Sequence, residues 1–422
     1  MNGSARRRGA VNGSARRRGA MRSRLVAVAL SLGLACPACS SLTSGGSHAP
    51  AAGASPAGTP VAPGADSVAA PRSCPAQVFA RMTEAQRIGQ LFLVGFEGDP
   101  VSEVARTETA YHFGSWLFTP NGTAGVTGIG QVTRAIQRLA SSRATGKVRF
   151  FVAANQEGGE VQALRGPGFQ AMPSALVQGQ LSAATLQRQA DAWGRELRAA
   201  GVNLDLAPVM DVVAPGTASQ NQPIGALQRE FGDNPQTVAT HGVAFIRGMR
   251  EAGVATTAKH FPGLGRVRGN TDFTAGVVDT ATGPDDPYLR SYQAAVYAGV
   301  PFVMVALATY TRVDPRHLAV FSSRVMRVLL RQQVRFTGVI VSDDLGAAAA
   351  VAGISAAVRA VDFLAAGGDM ITSQSLAAAI AMDSAVVRRG AADSAFRAVV
   401  NSAVMRVLDA KQAYGLLPCS WR

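Results

Sequence analysis

"TGVIVSDDL", residues 337–345, is an unbroken apolar run that stops on two adjacent carboxylates. Val339, Ile340 and Val341 read as a strand, and the change to Ser342, Asp343 and Asp344 marks its end. Side chains alternate along a strand, so if Val339 and Val341 face an interior, Asp343 does too. Asp343 is then a candidate nucleophile or base. Asp344 points away and caps the following loop or helix, where short acidic residues satisfy free N–H groups.

Seven further runs of the same kind lie upstream and downstream: "IGQLFLVGF" (88–96), "GSWLFT" (114–119), "VRFFVAAN" (148–155), "VNLDLAPVMDV" (202–212), "ATTAKHF" (255–261), "FVMVALATY" (302–310) and "DMITS" (369–373). Between most of them lie helix-like stretches. In residues 182–201, for example, Leu186, Ala190, Trp193 and Leu197 recur at helical spacing and Gly201 ends the run. Apolar runs alternating with amphipathic ones make an α/β chain with a parallel sheet. Eight of them in about 290 residues match a single (β/α)8 TIM barrel, with a doubly wound open sheet as the alternative.

In a barrel the chemistry gathers at the C-terminal ends of the strands. Those ends carry Asn155-Gln156-Glu157, Asp211, Lys259-His260, Thr309-Tyr310 and Ser342-Asp343-Asp344. Lys259 and His260, just before Pro262, suit hydrogen bonding to a polar ligand. "REFGDNP" (229–235) is a turn signal in which Arg229 either clamps a carboxylate or binds a ligand. "GLGRVRG" (263–269) has its third glycine one residue late for a dinucleotide loop, and "NQEGGEVQ" (155–162) lacks the Lys-Ser/Thr of a phosphate loop. Five histidines with no pair at ligand spacing argue against a metal site, and no cofactor is expected.

The chain has 422 residues, 47% hydrophobic and 16% charged, which is ample for a large globular core. Its net charge is +14, but residues 1–35 hold eight arginines and no acid, leaving +6 for the rest. Residues 1–20 are a decapeptide written nearly twice and read as an unfolded extension upstream of a start at Met21. From Met21, "MRSRLVAVALSLGLACPACSS" has two arginines and an apolar run too short to span a bilayer, the pattern of an export signal over residues 21–35. Cys36 resembles the acylated cysteine of bacterial lipoproteins, with Cys39 competing and ordinary signal cleavage as the alternative. Residues 36–72, rich in Ala, Gly, Pro and Ser, form a flexible tether. Residues 73–422 remain for the barrel. Cys74 and Cys419, near its two ends, are a candidate disulfide in an exported protein.

Seven ordered motifs resemble glycoside hydrolase family 3, in particular its single-domain bacterial β-N-acetylglucosaminidases. They are "MTEAQRIGQLFLVGF", "NQEGGEVQ", "LAPVMDV", "REFGDNP", "AKHFPGLG", "VSDDLG" and "AAGGDM", spanning about residues 80 to 415. The resemblance implies that Asp343 attacks the anomeric carbon of a β-linked N-acetylglucosamine, giving a covalent glycosyl enzyme resolved by water with retention. Arg229, Lys259 and His260 match residues that hold sugar hydroxyls and the acetamido group, and Asn155 stands where relatives carry an Asp that bonds sugar hydroxyls. With an export signal, the implied substrate is terminal N-acetylglucosamine on peptidoglycan fragments. The protein is expected to act outside the cytoplasm, anchored to the membrane by its N-terminal lipid or secreted, as a monomer without nucleic-acid partners.

One part of the pattern is missing. Members of this type carry an Asp-x-His dyad after K-H-F-P-G-H-G, and here the Asp falls on Asn270 and the His on Asp272. Leu264, Arg266 and Asn155 also replace a His, an Asp and an Asp of the pattern. Asp272 is therefore the expected acid/base, with its pKa raised by desolvation under a closed loop or by the Asp343 charge, and with Arg266 and Arg268 opposing this if they point inward. The alternatives are a degenerate glycan-binding lipoprotein and an N-acetylglucosamine phosphorylase.

Overall fold

A computed structural model describes residues 73–119 and 122–420. The extension (1–20), export signal (21–35), tether (36–72) and Cys36 fall outside the described residues. Eight parallel strands run in chain order: β1 Phe92–Gly95, β2 Ser115–Phe118, β3 Phe151–Ala154, β4 Leu204–Asp205, β5 Ala255–Phe261, β6 Phe302–Val305, β7 Val339–Ser342 and β8 Ile371–Ser373. Each pairs with the next from β1 to β7, and β8 returns to β1 in the register Phe92 to Ile371. Val341 bridges Met370, and the Ser342 N–H donates to the Met370 carbonyl at 2.9 Å. The sheet is thus closed between β7 and β8, which selects the (β/α)8 barrel over the open sheet.

Strand boundaries differ from the sequence reading where local chemistry overrides an apolar run. Ile88 and Gly89 belong to helix Glu84–Gly89, because Thr83 and Gln86 form a reciprocal cap: the Gln86 N–H donates to Thr83 Oγ1 and the Thr83 N–H to Gln86 Oε1. β4 shrinks to two residues, since Pro208 has no N–H to offer, and pairing resumes only at Val209 against Lys259. The run from Phe302 splits: Thr309–Tyr310 leaves the barrel for a small sheet with Val278–Asp279 and Asp314–Leu318 beside the rim.

The outer helices form as their patterns dictate. In Ala183–Ala199, Ser182 caps the first turn and Leu186, Ala190, Trp193 and Leu197 are buried. Gly201 follows at φ +75°, where a Cβ would meet Thr133 Oγ1 at 2.3 Å, so only glycine fits. The C-terminal helix Ser394–Ala413 sends Lys411 into the N-terminal end of the barrel. There its ammonium donates to Gln90 Oε1, the Gly114 carbonyl and the Arg149 carbonyl at 2.7, 2.7 and 3.0 Å. Cys74 and Cys419 are joined as a disulfide, with their Cα atoms 6.1 Å apart.

Candidate active site

The C-terminal ends of the strands surround a cleft of about 280 Å³. Asn155 after β3, Lys259 and His260 on β5 and Asp343 after β7 all line it, joined by Arg229 from the loop after β4 and by Asp272 from the loop after β5. Every residue read from the sequence as part of a sugar site therefore shares one cavity. Among the described residues, no group of three His, Cys, Asp or Glu side chains is arranged to hold a metal ion.

Two carboxylates organise the cations. Glu157, buried in the turn after β3, accepts both arms of Arg229 at 2.8 Å and pairs with Lys259 Nζ at 2.5 Å. Burial pushes its carboxyl up, but the guanidinium of Arg229 and the ammonium of Lys259 overcome this and hold it at about 2. Lys259 also donates to Asn155 Oδ1 at 2.9 Å, which places that amide at the cleft. Of the two readings for Arg229, the carboxylate clamp is present, and the residue lines the cleft as well.

Asp211 does the same for His260. Its Oδ2 lies 2.8 Å from His260 Nδ1, while Oδ1 accepts the His260 and Leu264 N–H groups and the Tyr292 hydroxyl at 3.1, 3.0 and 2.7 Å. Burial raises the Asp211 carboxyl and the His260 ring lowers it further, so it lies below the usual range. With Nδ1–H donated to a buried carboxylate, Nε2 is the nitrogen left for a ligand. Glu157 and Asp211 were visible as polar strand ends, but nothing in the sequence paired them with these cations. Tyr292, from helix Arg290–Tyr297 outside the barrel, had no sequence signal at all.

Asp343 is set apart by what it lacks. Its N–H donates to the Val305 carbonyl and its Oδ1 accepts only the Asp344 N–H, so most of its bonding capacity faces the cleft. Burial raises its carboxyl pKa, His260 draws it down, and the Asp272 charge raises it again. Asp344 spends itself on the backbone as expected of a cap, accepting from Gly346, Ala347 and Gln374.

The loop after β5 departs from expectation in one respect. Asp272 is exposed, so a closed loop does not desolvate it. Its N–H donates to Asn270 Oδ1 at 3.0 Å, and the Ala349 and Ala350 N–H groups hold the Asp272 and Thr271 carbonyls, docking the loop tip beside the chain after β7. Arg266 points away from the acids of the cleft: it pairs with Asp286 and stacks over Tyr288 at 3.8 Å. Arg268 is exposed and lines a different surface hollow. Neither arginine lines the cleft as the sequence allowed.

A ring of polar groups around a cleft at a barrel rim matches the motif order already noted, and comparison decides the family. The sequence profile of the Glycosyl hydrolase family 3 N terminal domain matches residues 83–410. The chain belongs to glycoside hydrolase family 3. As a family 3 glycoside hydrolase it is similar to the beta-hexosaminidase of Xanthomonas oryzae pv. oryzae, at 33% identity over 285 residues, covering 64% of this chain and 81% of that one. A solved beta-N-acetylhexosaminidase from Beutenbergia cavernae is 46% identical with a TM-score of 0.76, covering 78% of this chain and 99% of that one. A family 3 beta-N-acetylglucosaminidase from a Paenibacillus species is 28% identical with a TM-score of 0.70, covering 79% of this chain and 63% of that one.

Proposed function

We propose that this glycoside hydrolase is a retaining β-N-acetylglucosaminidase with Asp343 as nucleophile and Asp272 as acid/base. The observation that carries the reading is Asp343, a buried carboxylate that accepts a single backbone N–H, has no cation clamp and lines a cleft of about 280 Å³ together with the unclamped Asp272. Such a volume, at the small end of ligand sites, suits one sugar ring and hence removal of a terminal residue. In the first step Asp343 Oδ bonds to the anomeric carbon as the glycosidic C–O bond breaks, and the leaving oxygen takes the proton of Asp272. In the second, Asp272 removes a proton from water, the water oxygen bonds to the anomeric carbon, and the Asp343 carboxylate leaves. Lys259, Asn155, Arg229 and His260 hold the ring. Names of relatives support the N-acetylhexosamine specificity.

The substrate of this reading is terminal N-acetylglucosamine on peptidoglycan fragments, met outside the membrane by a monomer anchored through lipid on Cys36. Transfer to phosphate draws no support from the site, since two carboxylates facing the cleft repel a phosphate dianion and both nearby cations are engaged by Glu157. The exposure of Asp272 does favour a second reading, a glycan binder with little turnover. A fluorinated glycosyl fluoride separates the two: mass spectrometry should find the sugar on Asp343, and a protein that stays unlabelled would be the binder.

A further inference from the structure

Between Glu108 and Glu157 the chain contains no carboxylate but has Arg134, Arg138, Arg143, Lys147 and Arg149. The fold carries part of this stretch to the N-terminal end of the barrel, opposite the cleft. There Arg134 and Arg138, from helix Gly125–Arg138, join Arg149 and Arg198 around one open cavity of about 570 Å³ that no carboxylate lines among the described residues. No ion pair involves Arg134, Arg138 or Arg198 among the described residues. The polar floor is already satisfied: Thr133 donates to the Ala200 carbonyl at 2.7 Å, and Asn203 exchanges bonds with Val152 and Phe150 of the barrel wall. The guanidinium groups of Arg134, Arg138 and Arg198 are what the cavity offers a ligand.

We propose that this cavity is a second binding site, for phosphate or phosphodiester groups. Arg134, Arg138 and Arg198 are exposed around this hollow and have no ion pair among the described residues, and the planar donor fork of arginine matches a phosphate. The location suggests a source. Leu416 lines the cavity and its carbonyl accepts the Arg149 N–H at 2.9 Å; Cys419, three residues on, is bonded to Cys74 in the first described helix. Both ends of the described domain therefore lie at this face. In the anchored reading above, on which only this source rests, anionic lipid headgroups are a phosphodiester source within reach of the domain.

The test compares three full-length proteins: wild type, the cavity variant Arg134→Ser/Arg138→Ser/Arg198→Ser, and a variant of equal net charge altered elsewhere, Arg188→Ser/Arg247→Ser/Arg388→Ser. Each is titrated with inorganic pyrophosphate and sedimented with phosphatidylglycerol and with phosphatidylcholine vesicles. The basic N-terminal residues are common to all three, so differences report the cavity. Headgroup binding predicts that the cavity variant alone loses pyrophosphate binding and partitions onto phosphatidylglycerol roughly a hundredfold less, at about fivefold per arginine. Loss of pyrophosphate binding with unchanged sedimentation would assign the site to free phosphates. Identical behaviour of all three proteins overturns the site. Hydrolysis of an aryl N-acetylglucosaminide, unchanged in both variants, shows that the barrel is intact, and its absence from wild type would count against the hydrolase reading alone.

Discussion

The two ends of the barrel each bury charge, and they do so differently. At the N-terminal end Lys411 sits fully enclosed, and burial pushes its ammonium well down, yet all three of its protons have acceptors. At the C-terminal end Asp343 is likewise shifted by burial, but it accepts a single backbone N–H and opens on a cleft. A perturbed titration is common to both. What sets Asp343 apart from Lys411 is bonding capacity left unused toward a cavity, which is what the proposed mechanism draws on.

That contrast can be pressed at several points. Asp272→Ala should lower kcat on N-acetylglucosamine disaccharides by about 10²- to 10⁴-fold, the usual contribution of a general acid. Activated aryl glycosides should suffer far less and azide should restore turnover; equal loss on both substrates would remove Asp272 from the mechanism.

Glu157→Gln tests the organised charge at the rim. It leaves Arg229 and Lys259 buried without their anion, which should cost about 3–5 kcal/mol in denaturant unfolding. The pH dependence has a definite sign. Glu157 titrates lower in the folded protein than in the unfolded chain, so its contribution is complete above its ordinary value of 4.5 and is lost as pH falls toward about 2. Wild type should therefore lose more stability than the glutamine variant across that window.

At the opposite end, Cys74→Ser opens a link between residues 345 apart in sequence. It should cost about 2–4 kcal/mol of stability while leaving kcat/KM unchanged in the folded protein, because the disulfide touches nothing at the rim. An accompanying loss of activity would mean that the two ends are coupled. The smallest effect belongs to Tyr292→Phe, which removes one of the bonds that fix Asp211 beneath His260. Loss of a single buried hydrogen bond should cost about 0.5–1.5 kcal/mol in denaturant unfolding, with a fall in kcat/KM where the bond also holds His260 in place.

Much of the rim was legible because a barrel announces its site: polar residues directly follow apolar runs, as at "VAAN", "AKHF" and "VIVSDD". Strand limits were less so. Ile88 and Gly89 read as strand by hydrophobicity, but the capping box of Thr83 and Gln86 just before them claims them for a helix. Tyr310 read as the end of a barrel strand, yet the chain had already turned at Val305 to pair elsewhere. Arg266 looked able to disturb the acid, and only its contact with Asp286 and Tyr288 shows where its charge is spent.

The sequence by itself determined the eightfold alternation, the residue types at each strand end and the replacement of a histidine by Asp272, since all of these are properties of local order along the chain. Tertiary structure decided the rest. It closed the ring between β7 and β8, chose Glu157 as the partner of Arg229 and Lys259, brought Tyr292 to Asp211, left Asp272 exposed and gathered four arginines at the far end of the barrel. Pairing, exposure and convergence depend on residues far apart in the chain, and their energies exist only once the barrel has brought them within reach.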